Sequence, residues 1–355
     1  MFLLLTHSST LLFTLLLLTS LPCILSRTLT FSPVTKISLT NHNIQRLADA
    51  GKGSTITGIS EIKKYFSHFG YINISLHNNS TFSDIFDAEF ESVLNLYQQK
   101  LGLQVTGKLD SNTLSHITTP RCGVPDTINV DSFHSTEHYL YFPGKPRWTR
   151  PMPMSLTYSF SRDYMIRSLS LHEIREAFKR AFSRWASVIP VSFVETDDYS
   201  FADIKIGFYN GDHGDGEPFD GVLGVLAHSF SPESGRLHLD AAETWAVDFG
   251  SEKSDVAVDL ESVATHEIGH LLGLSHSSVK EAVMYPSLKA RDKRADLKMD
   301  DIKGVQALYG SNPNFRFGSS LESDISTNGA DLRVRSLRLA GIILFSFIQS
   351  LCLCI

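Results

Sequence analysis

In the stretch VATHEIGHLLGLSH, which begins at Val263, three histidines and a glutamate stand at spacings that could hold and use a metal ion. On an α-helix His266 and His270 lie four residues apart and project from one face, so both imidazoles can reach one ion. Glu267 sits about 100° further round, beside that ion's water. Gly273 lets the chain leave the helix and brings His276 to a third position. Three neutral imidazoles leave one coordination position open for water, which is what a hydrolytic zinc needs. The competing reading is an amphipathic helix that happens to carry histidines; it is common for HExxH alone and rare for the longer HExxHxxGxxH. Met284, in AVMYPS, extends the longer pattern as the turn beneath the metal.

For such a geometry to exist, the chain must supply the helix and a packed domain to hold it. Its 355 residues, 42% of them hydrophobic, suffice for at least one sizeable core and point to two small domains. Residues 56 to 117 read as helical. From Asp87 to Leu101, one face carries Phe90, Val93, Leu94, Tyr97 and Leu101, and Gly102 is a good stop. Asp110 then caps a restarted helix. A segment rich in His, Pro and Gly, from about 127 to 153, reads as a linker open to proteolysis. Beyond it, Ser170 and Glu173 form a capping box for a helix with the inner stripe Leu171, Ile174, Phe178, Ala181, Phe182 and Trp185. Strand-like runs occur at SLTYSF, PVSFVE, ADIKIGFY and GVLAHSF, and a last helix from Asp300 ends at Gly310. From Ser311 the chain is polar, as in a flexible stalk.

A net charge of −6 leaves no basic footprint for nucleic acid, so a protein or small molecule is the expected partner. The first 26 residues carry an apolar run from Leu11 to Leu18 and read as a secretory signal peptide, with a membrane anchor as the alternative. The closing LAGIILFSFIQSLCLCI follows the basic DLRVRSLR and reads as a tail anchor or as the signal for a glycolipid anchor. In the second case Asn328, followed by Gly329 and Ala330, is the expected attachment residue, and 329–355 is removed. Of four cysteines, Cys23, Cys352 and Cys354 lie in these terminal segments, so the processed chain keeps only Cys122. A secreted protein with one unpaired thiol needs an explanation. Asn73, Asn78 and Asn79 stand in glycosylation acceptor triplets.

Over roughly residues 57 to 310 the chain resembles the matrixins, the matrix metalloproteinases of the metzincin clan, through PRCGVPD, HGDGEPFDG, LAHSF, HLDAAETW, HEIGHLLGLSH and VMYPS. Without a hemopexin-like region, it looks most like the plant-type members. The resemblance implies an α+β fold: a twisted, mostly parallel five-stranded sheet with three helices, preceded by a small helical-bundle propeptide. It implies a zinc endopeptidase with Glu267 as general base and a catalytic zinc on His266, His270 and His276. Cys122 would hold that zinc in a latent precursor, which accounts for the solitary thiol. A structural zinc would sit on His213, Asp215, His228 and His238. The two sites would use all six of the histidines between positions 213 and 276, out of fourteen in the chain.

The resemblance also implies calcium at Asp220, Gly221, Leu223, Val225, Asp240 and Glu243. A second calcium loop would be shortened here to PESGR. Gly224, Val225, Leu226 and Ala227 would form the strand against which a peptide pairs, and Ser262, Tyr285, Pro286 and Leu288 the pocket for an apolar residue after the cut. The expected layout is signal peptide 1–26, propeptide 27–140, catalytic domain 141–310, stalk 311–328 and removed tail 329–355. The expected state is a monomer on the outer face of the plasma membrane, acting on extracellular proteins. Two other classes compete: a zinc-stabilised binding module, which has no use for Glu267 or a cysteine switch, and a glycan binder suggested by VTGKLDSNTL.

Overall fold

Three short helices come first along the described chain: α1 (Ile59–His68), α2 (Ala88–Lys100) and α3 (Ser111–Ile117). The computed structural model describes residues 46–48, 50–72, 82–126 and 138–316, all within one compact unit. Asp87 caps α2 by accepting from Phe90 N at 2.8 Å, and Asp110 caps α3 by accepting from Thr113 N at 2.8 Å. Each satisfies an amide that the helix itself leaves unpaired. The expected stripe of α2, with Phe90, Val93, Leu94 and Tyr97, is buried against Ile59, Ile62 and Phe66 of α1. That core runs on into Phe219, Val225 and Tyr285, so the helical bundle and the following domain share apolar contacts.

The second layer is a six-stranded sheet built from β1 (Arg121–Cys122), β2 (Met154–Phe160), β3 (Val191–Glu195), β4 (Ile204–Tyr209), β5 (Val225–Ser229) and β6 (Arg236–Asp240). Its order is β1-β5-β6-β4-β2-β3. Strands β2, β3, β4 and β6 run parallel, and β5 lies antiparallel to β6. These make the five-stranded, mostly parallel sheet that the resemblance implies, and four of them were read as strand-like runs in the sequence. The sixth, β1, comes from the chain ahead of the domain and pairs in parallel with β5, Arg121 opposite Val225 and Cys122 opposite Ala227. Strand β6 went unread because RLHLD is buried at its last four positions and offers no alternation.

Three helices complete the domain: α4 (Leu171–Val188), α5 (Leu260–Leu271) and α6 (Met299–Tyr309), with a small ribbon of β7 (Trp245–Ala246) and β8 (Val258–Asp259). The capping box of α4 forms, Ser170 Oγ accepting from Glu173 N at 3.2 Å and Glu173 Oε2 from Ser170 N at 2.8 Å. Its buried face runs from Ile174 to Val188, whereas Leu171, expected inside, is 44% exposed in the first turn. Trp185 Nε1 donates to Thr265 O at 2.9 Å and locks α4 to α5. Of the segment expected as a linker, about 127 to 153, residues 138–153 are described. Trp148 is buried and donates from Nε1 to Leu271 O at 2.9 Å, so the chain is already packed on the domain there. No helix among the described residues is long and apolar enough to cross a membrane. The expected signal peptide, the glycosylation acceptors Asn73, Asn78 and Asn79, the attachment residue Asn328 and the removed tail lie outside the described residues.

Candidate active site

Helix α5 starts at Asp259, whose carboxylate accepts from Ser262 N at 2.8 Å, and every one of its residues is buried. Burial on all sides suits a helix that carries a site on one face and packs α4 on another. His266 and His270 project together, their ring centroids 4.8 Å apart. The chain then turns at Gly273, φ +101°, where a Cβ would meet Pro146 O at 2.2 Å, so only glycine fits the turn that brings His276 back. The His276 centroid lies 5.2 Å from that of His266 and 4.8 Å from that of His270.

The outer nitrogens are spoken for. His266 Nδ1 pairs with Val283 O at 2.7 Å, His270 Nδ1 with Leu274 O at 2.8 Å, and His276 Nδ1 with Asp126 Oδ1 at 2.6 Å. These pairings leave each Nε2 as the acceptor facing the cluster. His270 Nε2 lies 3.2 Å from His276 Nε2 and 3.4 Å from Cys122 Sγ, while the buried His266 Nε2 has no hydrogen-bond partner among the described residues. Tetrahedral zinc with metal–nitrogen bonds of about 2.05 Å separates its ligands by roughly 3.3 Å, so the spacing fits that ion. Burial, and then the neighbouring imidazoles, hold His266 and His270 well below the ordinary histidine value, so they are neutral and able to ligate. Burial and then Glu267 push the Cys122 thiol up, and a thiolate there needs a cation to offset it.

Glu267 is fully buried, and burial raises its carboxyl to about 7, with the Ser229 hydroxyl pulling the other way. Met284, 1% exposed, packs against Gly269, where a Cβ would meet its sulfur at 2.2 Å. Asp301 of α6 fixes the turn by accepting from Val283 N at 2.9 Å and Met284 N at 3.0 Å.

The cleft beside Glu267 is filled by the chain itself. Arg121 N donates to Gly224 O at 2.9 Å, Gly123 N to Ala227 O at 2.8 Å, and on the other side Cys122 N donates to Pro286 O at 2.9 Å. Gly224, Val225, Leu226 and Ala227 thus face an extended segment, as a peptide-pairing edge would. Arg121, 2% exposed, donates to Asp126 Oδ1 at 2.7 Å and to Tyr65 OH at 3.1 Å, which ties the segment to α1. The adjoining pocket is lined by Leu226, Ser262, Val263, Val283, Tyr285, Pro286, Leu288 and Arg294. All four expected wall residues are present. Arg294 was not expected; it donates to Lys280 O at 3.0 Å and Tyr285 O at 3.2 Å, so the pocket is apolar with one cation in its wall.

A second cluster forms on the sheet. His213 Nε2, His228 Nε2 and His238 Nδ1 stand 2.9, 2.8 and 2.8 Å from Asp215 Oδ2. Burial opposes the Asp215 charge, but the three imidazoles hold its carboxyl far below the usual range. Three nitrogens and one oxygen around one point match a closed zinc site. Among the described residues only this cluster and the first bring three or more such donors within 4.8 Å of one another. The expected calcium residues are brought together more loosely. Asp240 accepts from Gly221 N at 3.1 Å, Glu243 from Leu223 N at 2.8 Å and Asp220 from Val225 N at 2.8 Å.

Comparison with known proteins gives two family matches. Residues 147–310 match the model of the matrixins and residues 56–117 that of a peptidoglycan-binding domain. The chain is 58% identical to metalloendoproteinase 4-MMP of Arabidopsis thaliana over 83% of its length and 87% of that protein's. It is 54% identical to metalloendoproteinase 1-MMP of the same plant, over 83% of this chain and 81% of the relative. It is 44% identical to human matrix metalloproteinase-20, over 60% of this chain and 41% of the relative.

Proposed function

The chain belongs to the matrixin family and is a zinc metalloendopeptidase, and on that premise we propose that it is made latent, blocked by its own Cys122 segment, and cuts extracellular proteins once freed. The observation that carries this reading is the convergence of Cys122 Sγ with the nitrogens of His266, His270 and His276. In the mature enzyme His266, His270 and His276 would hold the catalytic zinc, which would supply Lewis-acid chemistry at the scissile carbonyl and a water of lowered pKa. Glu267, fully buried beside those histidines, takes the proton of the attacking water and returns it to the leaving amine. Strand β5 pairs with the substrate where Arg121 to Gly123 now lie. Leu226, Val263, Val283 and Leu288 receive an apolar side chain after the cut.

His213, Asp215, His228 and His238 hold a structural zinc, and the Asp220, Asp240 and Glu243 carboxylates a calcium ion with the carbonyls of Gly221, Leu223 and Val225. The layout follows: signal peptide 1–26, propeptide 27–140, catalytic domain 141–310, stalk 311–328, and a tail 329–355 exchanged at Asn328 for a glycolipid. Asn73, Asn78 and Asn79 carry glycans. Phosphatidylinositol-specific phospholipase C should release the protein from intact cells; an intact C-terminal LCLCI peptide on the surface-held protein would refute the anchor. The catalytic reading is tested with casein. Activated wild type should cut it, a chelator should stop it, and Glu267→Gln should lose about 10² or more of turnover while keeping zinc. A Glu267→Gln enzyme with more than about a tenth of wild-type turnover would remove Glu267 from the mechanism.

A further inference from the structure

Ser229, the last residue of β5, is 6% exposed and donates from Oγ to Glu267 Oε2, with Glu267 O also 3.0 Å away. Neighbouring strand residues point to opposite faces. His228 therefore reaches the second cluster while Ser229 turns to α5, and β5 itself is held by pairing Ser229 with Leu237 of β6. The last torsion of a glutamate side chain is broad and roughly two-fold. A buried carboxylate with no fixed partner would therefore spread over several orientations. Ser229 removes that freedom from Oε2, and Oε1, which makes no hydrogen bond among the described residues, is left as the acceptor in the cleft Glu267 lines.

We propose that Ser229 is a positioning residue for the proteolytic reaction: its hydroxyl anchors one oxygen of Glu267 so that the other faces the water whose proton it takes. The proposal rests on the reading of Glu267 as general base. In the enzyme activated from the full-length precursor, with a fluorogenic peptide, Ser229→Ala should lower kcat about tenfold and leave KM within about twofold, because the lost interaction orients the base without touching substrate. Ser229→Thr, which restores a hydroxyl, should recover at least half of the loss. In the Glu267→Gln background Ser229→Ala should cost nothing further, since two residues acting through one group are not additive. Zinc content and the thermal midpoint should match wild type throughout.

Four results would overturn it: Ser229→Ala within twofold of the wild-type kcat, a threonine variant no better than alanine, a second tenfold loss on top of Glu267→Gln, or loss of zinc from Ser229→Ala. Near wild-type turnover by Glu267→Gln alone is a different failure, because it removes the base on which the proposal rests.

Discussion

Cys122 is the side chain on which the proposed latency turns. Its thiol is buried beside Glu267, where a thiolate is disfavoured unless a cation sits among His266, His270 and His276. A hydroxyl is a much poorer zinc ligand. Cys122→Ser precursor, purified uncut, should therefore hydrolyse peptide before any cleavage, and full latency of that protein would count against the switch. The neighbouring ion pair makes a second expectation. Arg121 and Asp126 are 2% and 4% exposed, so truncating Arg121 takes the permanent cation from a buried carboxylate that keeps only Tyr71 OH and His276 Nδ1 as partners among the described residues. Arg121→Ala should weaken docking of the segment by roughly 3–5 kcal/mol, read as faster activation by a limiting protease. Unchanged activation kinetics would show that the pair contributes nothing to latency. The histidines and Glu267 were legible because spacing on one helix fixes which side chains can meet. Ser229, Asp126 and Arg294 were not: a serine ending a strand, an acid at a distance of 150 residues from His276, and one cation in the run KARDKR carry no local pattern.

At the scale of elements, α3 reaches the active-site wall with His116. His116 Nδ1 lies 2.8 Å from Tyr97 OH and Nε2 2.7 Å from Tyr285 OH, a pocket residue. Burial lowers its pKa to about 4, with Arg121, Lys280 and Arg294 acting the same way and Asp126 opposing. Once the propeptide separates, the imidazole returns toward its ordinary 6.5. The docked form thus binds a proton less readily than the released form, so docking is strongest above 6.5 and weakens as pH falls from there to about 4. Propeptide release should accelerate across that window, and His116→Gln, which keeps hydrogen-bonding capacity without titrating, should make the profile shallower, with His68 of α1, also lowered to about 4 by burial and then Arg121, keeping the rest of the response. An identical profile in the variant would assign the acid response elsewhere. The helices themselves were readable from capping residues and apolar stripes. The stripe failed only at Leu171, because a first turn can overhang the sheet that the rest of the helix covers, and the linker reading failed at Trp148, where a tertiary hydrogen bond decides the path.

Across the whole molecule, the two clusters share one sheet. His228 on β5 and His238 on β6 join His213 and Asp215 from the loop after β4, so the second cluster pins that loop to two adjacent strands. Its composition was recoverable only through family resemblance, since four donors scattered over 26 residues have no helical or strand period to announce them. Its four donors are the number a closed tetrahedral zinc uses, and on the proposed reading that ion holds the strand beside which substrate pairs. Removing one ligand should separate stability from chemistry. His238→Ala leaves the Asp215 carboxylate, 4% exposed, short of a partner, a loss of roughly 3 kcal/mol. At about 2–4 °C per kcal/mol for a domain of this size, the thermal midpoint should fall by about 6–12 °C. Metal analysis should find one zinc per chain in that variant against two in Glu267→Gln, whose substitution touches no ligand. If His238→Ala still binds two zinc ions and melts within about 2 °C of wild type, the second cluster is a set of hydrogen-bonded histidines with no metal to hold.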